Sequence, residues 1–281
     1  MELRLLRYFV AIADERHFGR AAERLRIAQP SLSRAVQRLE RELGATLLLR
    51  SAAGVSMTPA GAALYDEART VLDQVEHATE RVAAAASGPS TLTVGSLAGV
   101  LGDAGSLLME AFRESHPDVE VRVRESDFTD PSCGLRAGLV DVSITMAPFD
   151  ASGLRVHELR SDAVAVVMRA DDPLATRAEL TGAELADRQW FRFPPATDPV
   201  WSAFWTGQRT GPTVRTAHEC LQAVLWNRSV GLIPGTHQVP NGLTTVPLID
   251  HPPCRLVVAW KDVDADPLIR SFVTAAAQLR W

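Results

Sequence analysis

The sequence predicts an all-α N-terminal module closed by a short hairpin, then one long helix, then an α/β domain that takes up the rest of the chain. Three observations carry this. Apolar residues recur at helical spacing, broken by tight turns, as far as Gly44. A 4, 3, 4, 3, 4, 3 apolar spacing then runs from Leu64 to Ala85 without a proline. After Thr91 short β-branched runs alternate with helical patterns.

In the first helix Leu6, Phe9, Val10 and Ala13 share one face. After Phe18 and Gly19, the stretch Arg20 to Leu25 forms a second short helix with Ala21, Ala22 and Leu25 inward. A three-residue connection, Arg26 to Ala28, leads to a third helix with Pro30 in its first turn, where a missing N–H costs nothing. Leu32, Val36, Leu39 and Leu43 form that helix's apolar stripe and Gly44 ends it. Ser33, Arg34, Gln37, Arg38 and Arg41 make a polar, cationic arc on the other side. A solvated amphipathic face explains such an arc in isolation; the order helix, helix, tight turn, helix adds the reading of a DNA-binding helix-turn-helix. Thr46 to Ser56, with Leu47 to Leu49, a turn at Ala52 to Gly54 and Val55, reads as a hairpin, or wing.

Thr58 is a candidate N-cap and Pro59 a first helical residue, opening a helix to Ala86. Leu64, Ala68, Val71, Val75, Ala78, Val82 and Ala85 fall on the a and d positions of a coiled coil, which predicts dimerisation through this helix. Ser87 to Ser90, containing Gly88 and Pro89, reads as a linker. Beyond it, Leu92 and Val94 mark a strand, Leu101 to Ser115 a helix, and Val119 to Val123 a second strand. A short helix is expected to end at Leu135 to Ala137, followed by a strand from Val140 to Met146. Further elements are expected at Ala163 to Met168, Gln189 to Phe193, Glu219 to Asn227, Gly231 to Pro234, Arg255 to Trp260 and Pro267 to Arg280, giving a mainly parallel sheet.

The net charge is −5, unevenly spread: residues 1–60 carry ten Arg against six acidic residues, whereas the remainder is acidic. A small phosphate-facing module on a larger acidic body fits that asymmetry. With neither a signal peptide nor a run of membrane-spanning length, a cytoplasmic location away from membranes is expected. Cys133, Cys220 and Cys254 show no metal-binding spacing, so structural metal and disulfides are not expected and the thiols read as inert buried groups. No nucleophile elbow, phosphate loop or HExxH motif occurs, so the chain does not read as an enzyme and no catalytic residue or cofactor is assigned.

Residues 1–61 contain FGRAAERL, AQPSLSR, LERELG and MTPAG in order, and this stretch closely resembles the DNA-binding segment of LysR-type transcriptional regulators. LTVGSL, AFRESHPDVEVRVRE, LRAGLVDVSI and VGLIPG resemble that family's effector domain more loosely. The resemblance implies a winged helix-turn-helix at 1–58, a linker and dimerisation helix at 59–88 and an effector domain at 91–281. The effector domain would be like a periplasmic solute-binding protein, with lobe I at about 91–160 and 262–281 and lobe II at about 161–261. It also implies operator DNA and a small-molecule effector as partners, and a homodimer or homotetramer.

On the matching positions, Gln29, Pro30, Ser33, Arg34 and Gln37, with Arg50 near the wing, would contact DNA. Ser33 and Gln37 suit base edges; Arg34, Arg38 and Arg50 suit phosphates or a narrow minor groove. Ala52, Ala53 and Ser56 stand where the family often has Arg or Lys, and Leu48 replaces a usual Phe, so weaker wing contacts are expected. Strand ends imply a cleft built from Ser96, Leu97, Ala98, Thr145, Met146, Phe193 and Pro194, with the Ser96 and Thr145 hydroxyls orienting a small polar or anionic effector. Trp190, Trp201, Trp205 and Trp226 crowd the expected second lobe, where packing is their expected role. A solute-binding transport protein and a ligand-free DNA-organising protein stand as alternatives; a ligand-dependent operator footprint separates them.

Overall fold

The computed structural model describes the chain apart from residues 52–53, 88–90, 100–101, 208, 263–265 and 280–281, and apart from the side chains at 51, 77, 80–81, 83–87 and 102–104. Of the expected linker Ser87 to Ser90, Ser87 still belongs to the long helix that ends there; Gly88 to Ser90, the wing-turn residues Ala52 and Ala53, the Ala85 side chain and the expected helix start at Leu101 lie outside the described residues. Two compact units result, Met1–Gly88 and Pro89–Trp281.

The first unit contains helices α1 (Leu3–Glu15), α2 (Phe18–Leu25) and α3 (Gln29–Leu43), the antiparallel hairpin β1 (Leu48–Ser51) and β2 (Gly54–Met57), and the long α4 (Pro59–Ser87). Phe9, Ile12, Ala21, Leu32, Leu39 and Leu47 form its core. His17 starts α2 two residues earlier than the apolar pattern predicts: its Nδ1 accepts from the N–H groups of Gly19 and Arg20, which the helix leaves unpaired. The apolar stripe of α3 stops at Leu39. Leu43, expected inside, is 42% exposed, because the helix ends at Gly44 (φ +65°) and Leu47, past the turn, enters the core instead.

Thr58 caps α4, its hydroxyl accepting from the Gly61 N–H at 3.0 Å and donating to the Thr46 carbonyl at 2.7 Å. That ties the long helix to the start of the wing.

In the second unit the larger sheet has the order β4 (Glu120–Ser126), β3 (Thr91–Leu97), β5 (Val142–Ala147), β10 (Cys254–Lys261), β6 (Leu154–Asp162). Helices α5 (Gly102–Ser115) and α8 (Pro267–Gln278) pack together beside it. The smaller sheet has the order β8 (Gly231–Pro234), β7 (Val164–Arg169), β9 (Leu243–Pro247), accompanied by α6 (Pro199–Trp205) and α7 (Ala217–Asn227). Each sheet anchors one lobe.

Four expectations need correction. The sheet is mixed, not mainly parallel: only β3 pairs in parallel, with β4 and β5, and all other strand pairs are antiparallel. Strand β6 leaves the first lobe, β10 returns beside it, and an outgoing and a returning neighbour must oppose one another. For the same reason β10, expected in the second lobe, belongs to the first lobe's sheet. No helix ends at Leu135 to Ala137. Cys133, Gly134 and Gly138 have positive φ, and the Asp130 carboxylate accepts from the N–H groups of Ser132 and Gly134, so the segment is a series of turns. Gln189 to Phe193 makes only isolated single-residue bridges to Val230 and Thr213.

Gly61 in the first turn of α4 lies so close to β1 that an added Cβ would stand 2.1 Å from the Leu47 carbonyl oxygen. Gly61→Ala therefore must displace backbone, and a loss of about 1–3 kcal/mol or more is expected in urea unfolding; an unchanged midpoint would show that the helix and hairpin are not locked there.

Candidate functional site

The polar side of α3 is presented outward while Leu32, Val36 and Leu39 hold the opposite side in the core. Gln29, Pro30, Arg34 and Gln37 are exposed and Ser33 is half-buried. Arg50 reaches this surface from β1: its Nη2 donates to Ser33 Oγ at 2.8 Å, and its guanidinium lies 3.9 Å from the centroid of the Phe18 ring at the start of α2. One arginine thus joins β1, α2 and α3 while it stays exposed at the surface. Glu40 Oε1 accepts from the N–H groups of Leu47 and Leu48, fixing where the wing leaves α3.

Arg38 differs from its neighbours. It donates to Glu42 at 2.9 Å and to Glu2 at 2.8 Å, and these hydrogen bonds, Glu42 first, raise its pKa. The side chain joins α3 to the start of α1 and is already charge-compensated.

The seam residues of α4 fall into two groups. Leu64 packs against the first unit's core and Ala68 is 1% exposed, so both are covered within the chain. Val71 and Val75 are half-buried, Ala78 is exposed and Val82 is 71% exposed.

Between the lobes of the second unit lies a cavity of about 390 Å³. Phe128 and Met146 line it from the first lobe, Arg160, Asp162 and Leu256 from the crossover strands, and Phe193, Trp201, Trp205, Ile233 and His237 from the second lobe. Of the seven residues expected in the cleft, only Met146 and Phe193 are among its lining. Ser96 and Thr145 are buried in the sheet and bonded locally: Ser96 Oγ donates to the Leu97 carbonyl at 3.2 Å and Thr145 Oγ1 to the Pro131 carbonyl at 2.7 Å. Successive side chains of a strand point to opposite faces, so when Met146 lines the cavity Thr145 cannot. Leu97 is fully buried, Ala98 bonds through its N–H to the Ser126 carbonyl, and the Pro194 carbonyl accepts from Thr197 N–H.

The residues missed are Phe128, Arg160, Asp162, Trp201, Trp205 and His237. The density of aromatic residues from 190 to 205 was the available signal; Arg160 and Asp162 sit in a strand whose polar alternation resembles an ordinary exposed edge. Arg160 Nε donates to both oxygens of the buried Asp162 at 2.9 and 3.0 Å. Trp190, Trp201 and Trp205 are buried as expected, whereas Trp226 is 74% exposed.

The lobes are clasped at their edges. Arg215 Nε of the second lobe donates to Asp127 Oδ2 of the first at 2.8 Å, Phe128 N–H donates to the Arg215 carbonyl at 2.7 Å, and Asp150 N–H donates to Asp198 Oδ2 at 3.0 Å. Burial opposes ionisation of Asp127, but hydrogen bonds from Thr129 and Arg215 outweigh it and lower its pKa, so the clasp holds at neutral pH.

A helix-turn-helix with a wing, followed by two α/β lobes enclosing a cavity, defines the class of ligand-responsive DNA-binding regulators. Comparison with known proteins specifies the family. Residues 3–62 match the model of the bacterial regulatory helix-turn-helix protein, lysR family, and residues 86–280 match that of the LysR substrate binding domain. The Hca operon transcriptional activator HcaR of Escherichia coli (strain K12) is 31% identical over 97% of this chain and 96% of its own. Full-length BenM, known as an HTH-type transcriptional regulator from Acinetobacter baylyi (strain ATCC 33305 / BD413 / ADP1), superposes with a TM-score of 0.55 at 27% identity over 99% of this chain and 96% of its own. CbnR in complex with its target DNA has the same fold, with a TM-score of 0.61 at 22% identity over 99% of each chain. The chain belongs to the LysR family of transcriptional regulators, with a DNA-binding helix-turn-helix and an effector-binding substrate domain.

The three cysteines are free and buried. Burial raises all three thiol pKa values, that of Cys254 up to about 12, with nearby Asp162 adding to the effect. A raised pKa suppresses the thiolate that reacts. A thiol-specific chromogenic disulfide should accordingly label the native protein very slowly and all three cysteines rapidly in denaturant; fast native labelling would show an accessible, reactive thiol.

Proposed function

We propose that the chain reads operator DNA with the outward face of α3 and the wing, as a dimer held through the distal part of α4, under control of a small molecule in the inter-lobe cavity. The observation that carries the DNA reading is the Ser33–Arg50 bond, which sets wing and recognition helix as one surface. Gln29, Pro30, Ser33 and Gln37 present groups suited to base edges, while Arg34 and Arg50 supply the charge that phosphates require. Arg38, engaged by Glu2 and Glu42, acts in positioning α3 and α1. The reading is of a cytoplasmic regulator with no catalytic step of its own. In support, the family is one of transcriptional regulators, and among the described residues no helix is long and apolar enough to cross a membrane.

The effector is read to sit in the inter-lobe cavity, where Met146 and Phe193 are among the lining, while Ser96 and Thr145 hold the sheet and the turn at Pro131. For the dimer, the seam is carried by Val71, Val75, Ala78 and Val82, with Leu64 and Ala68 serving the chain's own core.

Arg34 is exposed and makes only a weak bond to the Pro30 carbonyl, at 3.4 Å, so its removal should leave the fold intact. Arg34→Ala is expected to weaken operator binding and to flatten the dependence of log affinity on log salt by about one unit. Fluorescence titration across salt concentrations checks this, and unchanged affinity and slope remove Arg34 from the interface.

Val75→Asp should place paired carboxylates in the helix seam and drive the dimer toward monomer, with loss of two-half-site binding. Sedimentation equilibrium reads the first effect and footprinting the second; a dimer of normal stability transfers the interface elsewhere. A thermal-shift screen of small molecules, followed by footprinting with each hit, tests whether ligand binding is coupled to operator binding.

A further inference from the structure

The inter-lobe cavity has two chemically distinct ends. At one, Phe128, Phe193, Trp201 and Trp205 form an aromatic wall with Phe128–Phe193, Phe128–Trp201 and Trp201–Trp205 ring centroids 5.3, 5.7 and 5.6 Å apart. At the other, Arg160 and Asp162 are closed into an ion pair by two bonds from one nitrogen, and Arg160 Nη2 also donates to Thr236 Oγ1 at 3.4 Å. His237 stands at this polar end, and burial lowers its pKa, which keeps the ring uncharged near neutral pH. The charges that line the cavity therefore cancel.

We propose that this cavity takes an uncharged, flat compound of one or two rings, and that it discriminates against carboxylates and amines of the same shape. The proposal rests on the reading of the second unit as a ligand-controlled domain and names the class of ligand. The rings pack against the aromatic wall, and the paired Arg160 and Asp162 leave no net charge beside them. A carboxylate entering the cavity surrenders its hydration to an arginine whose charge Asp162 already balances; an ammonium group meets Asp162 only beside the charge of Arg160. Neither ion finds a net countercharge, and desolvating an unbalanced ion is costly.

The test uses the full chain and three compounds of one frame, 2-naphthamide, 2-naphthoate and (2-naphthyl)methylammonium, titrated by calorimetry near neutral pH with tryptophan fluorescence as a second reading. The amide is expected to bind at least about ten-fold more tightly than either ion. Asp162→Asn, which leaves Arg160 uncompensated, should reverse the order in favour of naphthoate. If that variant fails to fold, the order of the three compounds on the unaltered chain still decides the proposal. Wild-type binding of naphthoate as tight as the amide, with the same fluorescence response, overturns the neutral selectivity yet leaves the ligand-controlled domain standing. Binding of none of the three overturns the ligand class, and the thermal-shift screen then judges the wider reading on its own.

Discussion

Strand β6 ends at Asp162 and β7 begins at Val164, so a single residue separates the sheet of one lobe from the sheet of the other. The chain crosses back once, and Cys254 at the start of β10 pairs in register with Asp162 at the end of β6. Both crossings therefore lie side by side, and the geometry of the second unit follows from that pairing. It makes β10 antiparallel to β5 and β6, places Leu256 and Arg160 at the base of the cavity and lets the lobes meet across it. A carboxylate at such a junction is costly to bury. Asp162 is tolerated there because Arg160, two residues earlier on the same strand, bonds both of its oxygens.

The clasp at the lobe edges is of a different kind. Asp127 and Arg215 come from loops and remain partly exposed, so their pair is screened by solvent and contributes modestly. Phe128, next to Asp127, crosses the gap to pack on Phe193 and Trp201, so apolar contact accompanies the polar bond. The lobes of the second unit thus meet through a small polar clasp and a few aromatic contacts.

In the first unit the same economy appears around Arg50, whose hydrogen bond to Ser33 and stacking on Phe18 organise three elements that share no continuous sheet. Glu40 and Thr58 add the backbone bonds that fix the entry and exit of the hairpin. Arg50 is the one charged residue in the sequence from Leu48 to Met57. The remaining surface charge of this unit comes from its helices.

Elements with a strong local signal were legible in the sequence itself. The periodicity of Leu32, Val36 and Leu39, the cap at Thr58 and the turn at Gly44 follow from short-range sterics and from burial of one helix face, so α3 and its outward polar arc could be named from spacing. The alternation of strands and helices after Thr91 likewise indicated an α/β domain. Strands β6 and β9 escaped notice because one is a half-exposed edge with mixed polarity and the other is short. Leu64 and Ala68 fit a coiled-coil seam by spacing, yet packing on the first unit's core claimed them, since spacing cannot say which surface covers a helix face. The cavity was decided by tertiary structure alone. Phe128, Arg160 and Trp201 are far apart in the chain and meet only because two crossover strands bring their segments together. Which of Thr145 and Met146 lines it depends on the strand's facing, which neighbouring elements set.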